Sequence, residues 1–126
     1  MTCLLDTSVA VSLLEDDDRT LHNVENLEGP LLLSVVSQVE LAGGLAGPGG
    51  AARAVKLATF LRGVDVVDFK ADSAAAYEGI IRAVGFSRRK VLDRMIAAQA
   101  LVHRATLVTL NADDFRDVPG LDLLEW

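Results

Sequence analysis

The sequence predicts one α/β domain over residues 1–126, built on a parallel sheet with helices on both faces. Five short runs rich in Leu and Val, at 2–6, 31–36, 64–69, 106–110 and 121–125, alternate with segments of helical character. Runs that are apolar throughout are what strands buried on both faces require. With 51% of its 126 residues hydrophobic, the chain can bury a full core without disulfides or a structural metal. A third feature points beyond the fold: the first run, Thr2-Cys3-Leu4-Leu5, stops at Asp6. A carboxylate delivered to the edge of a buried strand is costly to desolvate unless a cation or a hydrogen-bond donor stands beside it.

The helix-starting pair Thr7-Ser8 follows directly, and the first helix is expected to run from there to Glu15. The acid run Glu15-Asp16-Asp17-Asp18 is a solvated break, with a second short helix expected at 18–28. After strand 31–36, Ser37 stands three residues before Glu40, the spacing of a capping box, so Glu40 has a structural reading beside any chemical one. The glycine-rich stretch from Gly43 to Gly50 ends that helix. It has no Gly-Lys-Ser/Thr ending and no strand directly before it, and so is a flexible turn rather than a phosphate loop. Residues 51–62 and 71–84 follow as two packing helices, with the scope to form a lid or a dimer face.

Lys90 to Arg104 has the strongest helical pattern, with Val91, Ile96, Ala97, Ala100 and Leu101 as an apolar stripe. Asp93 lies on that stripe. The helix dipole favours an acid in the first turn by about 0.3–1 kcal/mol, which explains its position but not its inward face. Beyond the strand at 106–110 come Asn111 and the pair Asp113-Asp114, for which a cap or Asx-turn before Phe115 is the structural alternative. Parallel α/β sheets gather strand ends and helix starts at one edge, where such folds place their ligand crevice. Asp6, Glu40, Asp93 and Asp113-Asp114 can therefore meet in one pocket, and a metal site is the simplest account of them.

Composition narrows the classes. The single cysteine, Cys3, sits inside an apolar run, so no internal disulfide is possible and a reducing, cytoplasmic setting is expected. No segment reaches the roughly 18 apolar residues of a membrane span, and Asp6 interrupts what would be a signal-peptide core. A net charge of −6 argues against coating nucleic acid by bulk charge. Its distribution is uneven, however: six of the 12 basic residues, Arg82, Arg88, Arg89, Lys90, Arg94 and Arg104, surround Asp93 in sequence. His22 and His103 have no partner that suggests catalysis, and no Ser, Cys or His arrangement supports a covalent route.

Taken together, Leu5-Asp6-Thr7-Ser8, Glu40-Leu41, Asp93-Arg94-Met95-Ile96-Ala97-Ala98 and the tail from Leu107 through Phe115 to Val118-Pro119-Gly120-Leu121 and Trp126 resemble a PIN-domain nuclease, most closely the VapC-type toxins. The resemblance spans essentially the whole chain through the order and spacing of short motifs. It implies a three-layer α/β/α fold with a central, mainly parallel sheet of four or five strands. It also implies a magnesium-dependent endoribonuclease, manganese being a possible substitute, whose clustered carboxylates hold the metal that activates water against RNA phosphodiesters.

Position by position, Asp6 and Asp93 match the family's metal ligands, and Glu40 matches an acid that ligates or positions a metal-bound water. The fourth position departs from the pattern, with Asn111 where many relatives carry an acid. Its role then passes to Asp114, the favoured candidate, or to Asp113, or Asn111 coordinates through its carbonyl. Thr7 or Ser8 resembles the family's hydroxyl near the metal, and helix capping accounts for it equally. Arg88, Arg89, Lys90 and Arg94 could neutralise phosphates of single-stranded RNA, or simply solvate a helix start. The resemblance further implies a VapB-type antitoxin that silences the enzyme and a homodimer, while the hydropathy pattern leads to no expected membrane partner. Two rivals stand beside it: a phosphotransferase forming an aspartyl-phosphate, which needs a second acid where Ser8 stands, and a weakened PIN domain that only binds RNA or protein.

Overall fold

The computed structural model describes residues 1–126. Its five strands are β1 (Cys3–Leu5), β2 (Leu31–Ser34), β3 (Asp65–Val67), β4 (Thr106–Thr109) and β5 (Leu123–Glu125). They form one sheet in the order β3-β2-β1-β4-β5, and every neighbouring pair is parallel. The helices are α1 (Thr7–Leu14), α2 (Asp18–Glu25), α3 (Val35–Ala42), α4 (Gly50–Arg62), α5 (Ala71–Val84) and α6 (Val91–Val102). The expected α/β/α architecture is met, with five strands. No helix is long and apolar enough to cross a membrane.

Strand alternation explains the two layers. Leu4, Leu32 and Leu107 face a core shared with Ile80, Ile96, Ala97 and Ala100 of α5 and α6. Cys3, Leu5, Leu33 and Val108 point the other way, onto Val9, Ala10 and Leu14 of α1 and Leu57 of α4. Successive side chains on a strand face opposite sides, so a central strand must be apolar at every position. Each Leu or Val fully removed from water contributes about 1.5–3 kcal/mol.

Two of the helices start on a capping side chain, α2 on Asp17 and α3 on Ser34. The strand expected to reach residue 36 stops at Ser34, whose hydroxyl accepts from the Val36 N–H at 3.0 Å and starts α3. Ser37 is therefore not a cap, and the capping-box reading of Glu40 is corrected: Glu40 lies in the last turn of α3, far from its start. At its far end α6 closes on Arg104 in the left-handed region (φ 52°), with Ala105 N–H donating to Ala100 C=O at 2.9 Å.

One buried residue that the periodicity did not reveal ties these elements together. Gln99 on α6 is fully buried, accepts from the Ser34 hydroxyl, and donates to the carbonyls of Val67 (3.1 Å) and Asp68 (3.0 Å). It fixes the ends of β2 and β3 against α6.

The chain runs outward from β1 through β2 to β3, then crosses back to β4 on the other side of β1. A reversal of this kind opens a crevice beyond the carboxyl ends of the two central strands. Asp6 follows β1 there, and Asn111 to Asp114 follow β4.

Candidate active site

Asp6 is 4% exposed, and its backbone N–H continues the ladder by donating to Val108 C=O at 2.8 Å. Its side chain does not cap α1. Instead Oδ2 accepts from two hydroxyls, Ser8 Oγ at 2.7 Å and the fully buried Thr109 Oγ1 at 2.9 Å, while Oδ1 receives no hydrogen bond. Those hydroxyls are held in turn, since Ser8 Oγ accepts from Leu110 N–H (3.2 Å) and Thr109 Oγ1 from Asn111 N–H (2.9 Å). One oxygen of the carboxylate is thus pinned and the other left unpaired.

Thr7 works on the neighbouring acid. Its hydroxyl donates to Glu40 Oε1 at 2.8 Å, so its 2.7 Å bond with the buried Ser37 Oγ runs from Ser37 to Thr7. The chain Ser37 to Thr7 to Glu40 orients an exposed carboxylate through a buried hydroxyl. Ser37, expected as a cap, does its work here.

Asp93 opens α6, and its carboxyl is pushed up to about 6. Desolvation is the main cause, and repulsion from Asp6, Asp114 and Glu40 adds to it, with Lys90 opposing more weakly. The four acids picked out from the sequence therefore share one electrostatic neighbourhood.

Two adjacent acids after β4 take different roles. Asp113 turns out to solvent and pairs with Arg116 at 2.7 Å, which also reaches Glu125 at 2.9 Å. Asp114, partly buried, is the one whose charge Asp93 feels. Asn111 is exposed, and only its backbone N–H enters the network.

Arg94 requires a correction. Expected on the RNA-facing rim, it is 3% exposed and forms two parallel bonds to Asp117, Nη1 to Oδ1 at 2.7 Å and Nη2 to Oδ2 at 2.8 Å. Those bonds raise the guanidinium and hold the Asp117 carboxyl below its usual range. A buried cation must be paired, and Asp117 lies in a loop that periodicity cannot place opposite Arg94. Arg88 and Arg89 stay exposed and Lys90 partly so, which leaves these three as the basic rim beside Asp93.

No three acidic, His or Cys side chains converge closely enough to make a finished metal cage. The arrangement is a looser ring of carboxylates with one unpaired oxygen at its most buried member. That suits magnesium, which takes one or two carboxylates directly and keeps several waters. Asp6 and Asp93 could hold the ion, with Glu40 and Asp114 reaching it through water.

Residues 3–121 match the PIN domain model. The chain belongs to the PIN domain family. This PIN domain is 29% identical to ribonuclease VapC2 of Rickettsia felis, over 100% of the chain and 98% of that relative. Among solved structures it resembles VapBC2 of Rickettsia felis bound to a promoter DNA fragment, with a TM-score of 0.90, 27% identity, and 100% and 99% of the two chains covered. The VapBC-1 structure from nontypeable Haemophilus influenzae shares the fold at a TM-score of 0.84, with 21% identity and 100% and 98% covered.

Proposed function

We propose that this PIN domain is the toxin of a type II toxin–antitoxin pair, an endoribonuclease that uses Mg2+, with Mn2+ as a substitute, and is silenced by a VapB-type antitoxin. The observation that carries the catalytic reading is the carboxylate ring. A carboxyl pushed up to about 6 by burial, with three like charges adding to it, is strained in a way that a divalent cation relieves. Asp6 and Asp93 are the direct ligands in this reading, while Glu40 and Asp114 act through the water shell. Once bound, the ion supplies charge against that building on the phosphate and acidifies a water.

The chain's own residues do the positioning. Thr109 and Ser8 keep Asp6 Oδ2 fixed, so that Oδ1 is the oxygen available to the ion. Thr7 holds Glu40 at the exposed side of the ring, where water and substrate arrive. Arg88, Arg89 and Lys90 offset RNA phosphates beside it.

For the antitoxin, support comes from the VapBC complexes and from an apolar cavity of about 540 Å³ between α1, α2 and α4. Leu13, Leu14, Val24, Val55 and Phe60 line it, offering a partner segment an apolar seat. Exposed Phe86 and Leu92 support a second copy as a further partner. Cleavage of total cellular RNA by antitoxin-free protein tests the reading. Discrete fragments with Mg2+ or Mn2+, absent in EDTA and with D93N, are expected. Identical patterns from folded wild type and D93N would overturn it in favour of a binding module.

A further inference from the structure

We propose that the Arg94–Asp117 ion pair is a positioning device for the fourth acid, holding the turn that carries Asp114 against α6 so that Asp114 stays beside Asp93. The inference rests on the metal-centre reading above and assigns a role to two residues that do not themselves touch the ring.

The argument begins with a conflict. Asp93 and Asp114 belong to different elements and repel one another, yet they are neighbours. The turn that bears Asp114 is short, a single 3-10 turn over Ala112–Asp114, and no side chain caps it. Left to electrostatics alone it would swing toward solvent, as the adjacent Asp113 does.

Three contacts oppose that swing. Phe115 and Val118 are buried in the core that includes Ile96 and Ala97 of α6. Arg116 reaches from Asp113 to Glu125 and ties the outer side of the turn to β5. The third contact is the fork from Arg94 to Asp117, and it joins the turn directly to the helix of Asp93. Arg94 is the residue next to Asp93, and Asp117 lies three residues beyond Asp114. One helix turn therefore presents both the repelled carboxylate and the grip that overcomes the repulsion.

The pair has the features of an orienting contact. Two parallel bonds fix direction as well as distance, which a lysine cannot do. Arg94 Nε is buried without a partner, so every hydrogen bond to this buried cation comes from Asp117. Asp117 is 46% exposed and belongs to the loop, where a purely apolar anchor would have served for packing alone.

Mn2+ binding to the antitoxin-free protein, without RNA, tests the inference, using wild type, D117N, R94K, D114N and D114N/D117N, with urea unfolding of each. D117N keeps size but leaves the Arg94 cation buried without its carboxylate, so R94M/D117N, which removes the buried charge as well, takes its place if D117N does not fold. Residues that orient metal ligands typically change affinity about 10–100-fold, so D117N is expected to bind Mn2+ at least about tenfold more weakly. If the pair acts through Asp114, the double variant binds no more weakly than D114N alone. Wild-type binding with D117N unchanged, or additive losses in the double variant, would overturn the inference while sparing the metal centre. No Mn2+ binding by folded wild type would overturn both.

Discussion

Replacing Asp93 with Asn should stabilise the metal-free protein while abolishing its cleavage of RNA. The folded carboxyl is held at about 6 against an ordinary value of 3.8. Between these values the folded protein keeps a proton that the unfolded chain has released, so stability falls as pH rises through that window. Above pH 6 both states are ionised, and the full gap, at about 1.36 kcal/mol per pKa unit, is a ceiling of about 3 kcal/mol against the fold. The carboxyl is only partly buried, and solvent screening brings the expected effect down to about 1–2 kcal/mol. An asparagine at the same place carries no charge at any pH. Urea unfolding in EDTA should therefore show D93N more stable than wild type at pH 7.5, with the difference shrinking to nothing as pH falls from 6 to below 4. A D93N protein equal to wild type at pH 7.5, or an advantage that grows on acidification, would refute the view that like charges and burial load this position.

Other substitutions separate the ring from its supports. Thr7→Val should leave the Ser37 hydroxyl buried without its partner, at about 1–2 kcal/mol in unfolding experiments, and release Glu40, whereas Thr7→Ser should keep RNA cleavage close to wild type. Gln99→Leu strands the carbonyls of Val67 and Asp68 and the Ser34 hydroxyl together; a loss of about 3–5 kcal/mol in urea is expected, and a loss under 1 would deny Gln99 its role. The pair R88Q/R89Q should leave unfolding unchanged and weaken RNA binding uniformly across sequences. Its salt dependence should flatten by about 0.7 in slope for each phosphate contact removed.

The strands were legible because their chemistry is one-dimensional. Cys3-Leu4-Leu5 and Leu31-Leu32-Leu33 are apolar at every position, and no other element of this size needs that. Asp6, Glu40, Asp93 and the Asp113-Asp114 pair stood out for the same reason, as charges in apolar elements, and the fold brings Asp6, Glu40, Asp93 and Asp114 within reach of one another's charge. What the sequence hid is what depends on direction. Asp113 and Asp114 are neighbours of identical chemistry, and only the turn decides that one meets Arg116 and the other Asp93. Arg94 reads as a surface cation until a loop acid from Asp117 closes over it. Ser37 is expected as the cap after a strand reaching residue 36, but the helix starts at Ser34 and Ser37 is bonded to Thr7 instead.

The placement of β1 at the middle of the sheet also sets when this molecule can become active. Cys3–Leu5 pairs with Leu31–Leu33 on one side and with Thr106–Val108 on the other, so its second edge is filled only by a segment made about a hundred residues later. Long-range pairing of parallel strands is slow, because loop closure must precede any gain from the contact. The hydroxyl of Thr109 that pins Asp6, and Asp114 itself, arrive with that same late segment. A nascent chain on the ribosome thus carries Asp6, Glu40 and Asp93 without the strand that assembles them, and the carboxylate ring forms only after residues 106–114 have been synthesised and docked.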